Sequence, residues 1–298
     1  MSIFALFNSW LLYYLSISIA IATPFDQAEF NLIQEKKPLT FKVYTHNIRF
    51  DASNLVPYEL PWNQRKEGVV SSMISAVTVN LSTIFTLQEV MHNQLIDIKH
   101  GLNTISESWA HVGEGRDGGI SGEHNPILYN TNEWDVLTNY TRWLSETPDR
   151  PSSFLNKCYN RIVTMGTFYH KGTGSVVNVL NTHFCHKYED SKQFQANEIL
   201  KHVDTLTDVA PIIVTGDFNS ERSSVAYQIL IRALKDQGNL QELPTVSGFC
   251  PGEQQTTIDY IFSKGPVISA QHTVLDNILY EGYHFSDHRP VVGVFKVI

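Results

Sequence analysis

Two periods of apolar and polar alternation run along this chain and predict a succession of strands and helices. Alternating or continuous apolar runs predict strands at residues 41–45, 83–87, 126–129, 161–168, 175–181, 211–214, 257–262, 271–275 and 291–297. Apolar residues three or four apart predict helices at 62–76, 94–102, 193–206 and 224–234. No internal repeat, low-complexity tract or linker interrupts the sequence. The start of the chain follows neither period. Residues 3–22 carry no charged side chain and end in Ala20-Ile21-Ala22 before Thr23-Pro24, the small-x-small pattern of a signal-peptide cleavage site. The expectation is a signal peptide over 1–22, a polar lead-in over 23–38 and one domain over 39–298. An uncleaved N-terminal anchor is the alternative, since no Lys or Arg precedes the apolar run, which is nearly long enough to span a bilayer. Either way the domain enters the secretory pathway and is lumenal or extracellular, with membrane contact only through an uncleaved N-terminus.

Polar residues able to do chemistry recur where the predicted strands end. Asn47 follows the first strand, Gln88-Glu89 the second, Asn181-Thr182-His183 a later one, and Gly216-Asp217-Phe218-Asn219 the next. Strand ends along one rim of a sheet converge in space, so these residues can share one pocket. Any one of them alone is ordinary turn chemistry. Their joint occurrence points to a site.

Composition narrows what that site does. A chain of 298 residues, 42% hydrophobic and 17% charged, can bury a large core as one domain. Its net charge of −8 lacks the basic footprint of unassisted binding to a nucleic-acid backbone. This disfavours a nuclease without excluding one, because bound divalent cations add positive charge where substrate sits. Carboxylates and carboxamides with histidine, but no Cys-His cluster, suit a hard cation, Mg²⁺ or Mn²⁺, rather than a structural zinc. Glu89, Asp217, Asp259 and Asp287 supply the anionic oxygens, and His288 can serve as a base oriented by a further carboxylate.

The three cysteines, Cys158, Cys185 and Cys250, allow one disulfide in an oxidising compartment, or three buried thiols. A hairpin closing at Lys171-Gly172-Thr173-Gly174 would set Cys158 nearly opposite Cys185, so that pair is the expected bridge. The sequons Asn80-Leu81-Ser82 and Asn139-Tyr140-Thr141 are compatible with a secreted glycoprotein.

Taken in order, Asn47-Ile48-Arg49, Gln88-Glu89-Val90, Asn181-Thr182-His183, Gly216-Asp217-Phe218-Asn219, Ile258-Asp259-Tyr260-Ile261 and Ser286-Asp287-His288 resemble the endonuclease/exonuclease/phosphatase superfamily, the pancreatic-deoxyribonuclease-like fold. The resemblance runs from about Phe41 to the C-terminus. It implies an α/β (α+β) fold: a four-layer αββα sandwich of two mixed β-sheets flanked by helices, with the site at the sheet rim. It also implies a Mg²⁺-dependent phosphate-ester hydrolase with Glu89 as principal metal ligand and Asn47 and Asp287 close to the metal. In the same terms, Asp217 and Asn219 position the attacking water or a second metal, and His288, oriented by Asp259, activates the water. His183 stabilises the phosphate or leaving group with Glu123 as its carboxylate partner, while Arg161 and Arg49 contact phosphate. Trp143-Leu144-Ser145-Glu146-Thr147-Pro148 is most similar to a group of small microbial metal-dependent hydrolases. That group's following loop tends to carry Gly-Trp-Asp, where this chain has Ser152-Ser153-Phe154-Leu155-Asn156-Lys157-Cys158. His186 follows His183 as a second pocket histidine or as a solvated neighbour.

Three functions are therefore open. The first is a phosphatase or phosphodiesterase acting on a small-molecule or lipid-derived ester, the second a secreted nuclease, and the third an inactive binding protein on the same fold. Retention of Glu89, Asp217, Asp259, Asp287 and His288 disfavours the third.

Overall fold

The computed structural model describes residues 38–298 apart from 78–80, 207–208 and 239–242. The expected signal peptide, most of the polar lead-in and the sequon at Asn80 lie outside the described residues. In chain order the elements begin with β1 (Thr40–Asn47), α1 (Trp62–Ala76), β2 (Ser82–Gln88), α2 (His92–Asn103), β3 (Trp109–Val112), β4 (Ile127–Asn130) and β5 (Trp134–Trp143). They continue with β6 (Ile162–His170), β7 (Val176–His183), α3 (Glu189–Asp204), β8 (Ile212–Asp217) and α4 (Val225–Leu230). The last are β9 (Lys235–Asp236), β10 (Asp259–Lys264), β11 (Val267–Val274) and β12 (Val291–Val297).

Two mixed six-stranded sheets result, in the orders β11-β12-β1-β2-β4-β3 and β5-β6-β7-β8-β10-β9. Side chains alternate across a strand, so each central strand faces two apolar layers. Phe41 and Val43 of β1 join Val177 and Val179 of β7 and Ile213 of β8 in the layer between the sheets. Tyr44 of β1 and Phe85 and Leu87 of β2 turn outward onto Val69 and Met73 of α1 and Ile98 of α2. On the far side, Leu180, Val214 and Phe262 meet Ala196, Ile199 and Val203 of α3 and Leu230 of α4. Three buried apolar layers separate helices, sheet, sheet and helices, the four-layer sandwich the resemblance implies. Burying each such Val, Leu or Phe contributes roughly 1.5–3 kcal/mol.

β6 and β7 form the expected hairpin, closed by Gly174 N–H donating to His170 O and paired with Val163 opposite Thr182. Beyond its open end Cys158 and Cys185 are disulfide-bonded, with Cα atoms 6.0 Å apart. Three strands escape the apolar pattern, namely β3, β5 and β9. β5 is ten residues long but lies at a sheet edge, with a register shift between Val136 and Thr138 and most of its side chains exposed or half-buried. It therefore has no apolar face for periodicity to reveal. The sequon residue Asn139 is exposed on this edge strand. α4 covers only Val225–Leu230 of the 224–234 expected, capped by Ser224, whose Oγ accepts from Tyr227 N. Among the described residues, no helix is long and apolar enough to cross a membrane.

Candidate active site

Strand register brings the predicted residues together. Parallel pairing of β7 with β8 sets His183 beside Asp217, and antiparallel pairing of β8 with β10 sets Asp217 beside Asp259. The three stand in a row across the end of one sheet. Gly216 makes the row possible, because a side-chain carbon there would collide with the Thr182 carbonyl of the neighbouring strand. On the other sheet, parallel pairing of β1 and β2 sets Asn47 beside Gln88. The two rims meet through Asn47, whose Nδ2 donates to Glu89 Oε1 at 3.2 Å and to Asp217 Oδ2 at 3.0 Å. Beneath it, Gln88 Nε2 donates to Asn181 Oδ1 at 2.7 Å, and Asn181 Nδ2 donates to the Leu87 and Pro126 carbonyls at 2.8 and 2.9 Å. These buried amides hydrogen-bond one sheet end to the other, with Gln88 Oε1 left unpartnered.

Three of the site residues hold backbone conformations that L-residues rarely adopt: Arg49 at φ 58°, Glu89 at φ 60° and Asn219 at φ 48°. Each costs on the order of 1 kcal/mol and persists because its surroundings over-determine it. Arg49 N–H donates to Asn47 Oδ1 at 3.0 Å, and Phe50 N–H donates to Glu89 Oε2 at 3.1 Å. Asn219 N–H donates to Asp217 Oδ1 at 2.9 Å. The fully buried Arg65 of α1 donates to five carbonyls, those of Ile48, Arg49, Phe50, Leu60 and Phe285, and so ties the loop after β1 to the segment leading into His288.

His288 stands at the centre. Its Nδ1 lies 2.8 Å from Asp259 Oδ2, and its Nε2 faces Asp217 Oδ2 at 3.8 Å. Ser286 Oγ donates to the Asn47 carbonyl at 2.6 Å, and His46 Nε2 lies 3.0 Å from the His288 carbonyl, so the backbone of the final motif is fixed on both sides. Burial works against charge on the ring, but the carboxylates of Asp259, Asp217 and Asp287 outweigh it and raise the His288 pKa well above the usual histidine range. Burial and the charge of Asp259 push the Asp217 carboxyl up to about 7. The row thus retains a proton and can pass it. Ligand atoms of Asp217, Asp259 and His288 lie within 4.8 Å of one another, close enough to hold a cation. The short Asp259–His288 contact suits a shared proton instead, which assigns this group to acid-base work.

Arginines line the same cleft. Arg161 is buried, with its Nη1 3.8 Å from Glu123 Oε2 and its Nε unpartnered. His183 Nε2 lies 3.5 Å from Asp217 Oδ2, and burial followed by the charges of Arg161 and Arg116 holds its pKa well below the usual range, leaving the ring neutral. One expectation is corrected here. Glu123 is the partner of arginines rather than of His183: Arg116 Nη1 is 2.7 Å from its Oε2, and His183 Nδ1 has no hydrogen-bond partner. The reason is the glycine-rich loop between β3 and β4, where Arg116 N–H donates to Glu123 O and places both side chains on one wall. Arg49 reaches the cleft, where its guanidinium donates to both carboxylate oxygens of Glu59 at 2.9 and 3.3 Å and its Nη1 lies 4.0 Å from Glu89.

Glu89, Asp217, Asn219, His183, His288, Arg161, Glu123 and Arg49 all line one cleft of about 290 Å³. Asn47 and Asp259 are buried beside it. Asp287 is partly buried, and desolvation together with the charge of Glu89 raises its carboxyl pKa. The Glu89 and Asp287 carboxylates, in an oxygen-rich setting, fit a hard divalent cation. Arg116, Tyr159 and His186 also line the cleft. Neither Arg116 nor Tyr159 belongs to a strand-end motif. The signals that could have found them are the glycines around Arg116, at 113, 115, 118, 119 and 122, and the position of Tyr159 next to a cysteine of the expected bridge.

A two-sheet sandwich whose joined rims set a buried carboxylate–histidine row beside an arginine-lined cleft defines a hydrolase of phosphoric esters. The chain belongs to the endonuclease/exonuclease/phosphatase family, whose model matches residues 44–288. Enzymes of this family are generally dependent on divalent metals. The structure is similar to that of an endonuclease/exonuclease/phosphatase family protein from Bacteroides thetaiotaomicron, at 28% identity and a TM-score of 0.78 over 88% of this chain and 99% of that one. It is similar to the mannosyl-6-phosphatase of Bacteroides thetaiotaomicron, at 28% identity and a TM-score of 0.77 over 87% of this chain and all 100% of that one. ANGEL2, a 2',3'-cyclic phosphatase, shares the fold at 16% identity and a TM-score of 0.72, over 87% of this chain and 96% of that one. No curated protein matches the chain.

Proposed function

We propose that this protein is a Mg²⁺- or Mn²⁺-dependent phosphatase or phosphodiesterase of the secretory pathway that acts on a small phosphate ester. One observation carries the reading: Asp217 and His288, the latter held by buried Asp259, share one small cleft with buried Arg161 and His183. Glu89 and Asp287, with Asn47 alongside, would hold the cation, which supplies Lewis-acid charge on the phosphoryl oxygens when bound. Asp259 holds the His288 ring through Nδ1 and stabilises its imidazolium, so the ring acts as base in the form that has lost its Nε2 proton and can accept one from water. Asp217 lies within reach of both His288 and His183 and, with Asn219, positions that water. Arg161 and neutral His183 donate hydrogen bonds to the charge developing on the phosphoryl group.

Similarity to a mannosyl-6-phosphatase at 28% identity supports a small ester as substrate. The net charge of −8 weighs against DNA or RNA. The Cys158–Cys185 bridge and the exposed sequon at Asn139 support lumenal or extracellular residence. A metal-supplemented screen of the secreted protein against sugar phosphates, nucleotides, phosphoinositides, sphingomyelin and DNA tests this directly. Hydrolysis of a small phosphate ester, stimulated by Mg²⁺ or Mn²⁺, is expected. Faster turnover of DNA than of any small ester would replace it with the nuclease reading.

A further inference from the structure

The mouth of the cleft, beyond the phosphate-facing residues, carries a second constellation that the hydrolytic chemistry does not use. The Arg116 guanidinium sits 4.6 Å from the centre of the Tyr159 ring, and Tyr159 stacks with His186 at 5.9 Å and 20° between planes. Tyr159 and His186 each follow a cysteine of the Cys158–Cys185 bridge, so the disulfide holds two loops of different origin side by side. Other contacts fix the same frame. Asn160 Nδ2 donates to Asp117 Oδ1 at 2.9 Å, and Trp143 Nε1 donates to the Arg116 carbonyl at 2.6 Å. Phe154 stacks on Phe194 of α3 at 4.2 Å. Even so, Tyr159 is 60% exposed, an unusual cost for an aromatic ring so firmly positioned.

The geometry points to Arg116, Tyr159 and His186 as the subsite that receives the alcohol portion of the substrate, held in place by the Cys158–Cys185 disulfide and suited to a ring bearing several hydroxyl groups. The assignment rests on the phosphoester reading above and names the leaving-group side of the same site. Its chemistry is mixed: guanidinium N–H groups donate, the Glu123 carboxylate beside Arg116 accepts, and the Tyr159 hydroxyl does either. Partial burial and the Arg161 charge lower the pKa of His186, so its neutral ring adds one donor and one acceptor. Donors and acceptors gathered at one polar mouth match neighbouring hydroxyls, whereas an unsubstituted alkyl ring would leave them unpaired.

The test compares two esters of similar shape, mannose 6-phosphate and cyclohexylmethyl phosphate, in the presence of Mg²⁺ with the wild-type protein, Tyr159→Ala, and the double variant Cys158→Ser/Cys185→Ser. The wild type is expected to favour the hydroxylated ester at least about tenfold in kcat/KM. Both variants are expected to cut that ratio at least about fivefold, mainly through a higher KM for mannose 6-phosphate. If both esters are hydrolysed but the wild type shows no preference, or the ratio survives in Tyr159→Ala, the subsite is overturned while the catalytic reading stands. Absence of metal-dependent hydrolysis of either ester overturns the catalytic reading and this assignment with it. Tyr159→Ala decides the matter even if the double variant fails to fold, since its side chain is exposed.

Discussion

On one side of the cleft, His183, Asp217 and Asp259 stand on strands whose pairing sets them side by side, next to the buried, hydrogen-bonded amides of Asn47 and Asn181. On the other, Arg116, Tyr159 and His186 stand on loops held by glycine turns, a disulfide and a few side-chain bonds. The first arrangement follows from sheet register, which cannot shift by one residue without exchanging the side chains packed between the sheets for those packed against the helices. The second can vary in length and sequence without disturbing the core. On the proposed reading, chemistry is placed on the part of the fold fixed by strand register, and recognition of the leaving group on the part that can change.

That contrast can be broken from either side. The largest effect is expected at the rim: His288→Ala and Glu89→Ala should each lower kcat about 10³-fold while circular dichroism and melting temperature stay near wild type. Retained turnover would remove these residues from the chemistry. Asp259→Asn keeps the shape but withdraws the charge that orients and strengthens His288, and a loss of about 100-fold in kcat is expected with a flattened pH–rate profile. Substitutions that alter the ester preference without touching these rates belong to the loop wall, as described for Tyr159.

Stability separates the two regions as well. Arg65→Met leaves five carbonyls of the rim loops without their donor and should cost about 3 kcal/mol in denaturant unfolding. A smaller effect concerns His46, which burial holds neutral down to about pH 3 in the folded protein. A histidine protonates more readily once unfolded, so its stabilising contribution is complete above pH 6.5 and falls as pH drops from there toward 3. The expected slope from this one group is about 1.4 kcal/mol per pH unit, measured as a reduced slope in His46→Gln. An unchanged slope would place the acid sensitivity elsewhere.

The sequence made the rim legible because strand-end residues carry their neighbours with them. Apolar runs at β1, β2, β7 and β8 show where strands stop, and polar residues at those stops must converge. Edge strands were silent: β5 exposes too much of both faces for a period of two to register. The loop wall was legible only in part. Cys158 and Cys185 could be paired from the β6–β7 hairpin, but the path of the glycine-rich loop after β3 depends on hydrogen bonds such as Gly115 N–H to Gly119 O, which no periodicity announces. Glu123 was accordingly placed near the right cleft with the wrong partner, and Arg116 was passed over.

The account stands on metal-assisted hydrolysis at the joined rims, and the most direct measurement is the rate of phosphate-ester hydrolysis by the secreted protein before chelation with EDTA, after it, and after Mg²⁺ or Mn²⁺ is restored. Loss of activity on chelation and recovery on addition, both absent in Glu89→Ala, is the expected result. Hydrolysis indifferent to EDTA, or none under any metal condition, would contradict it.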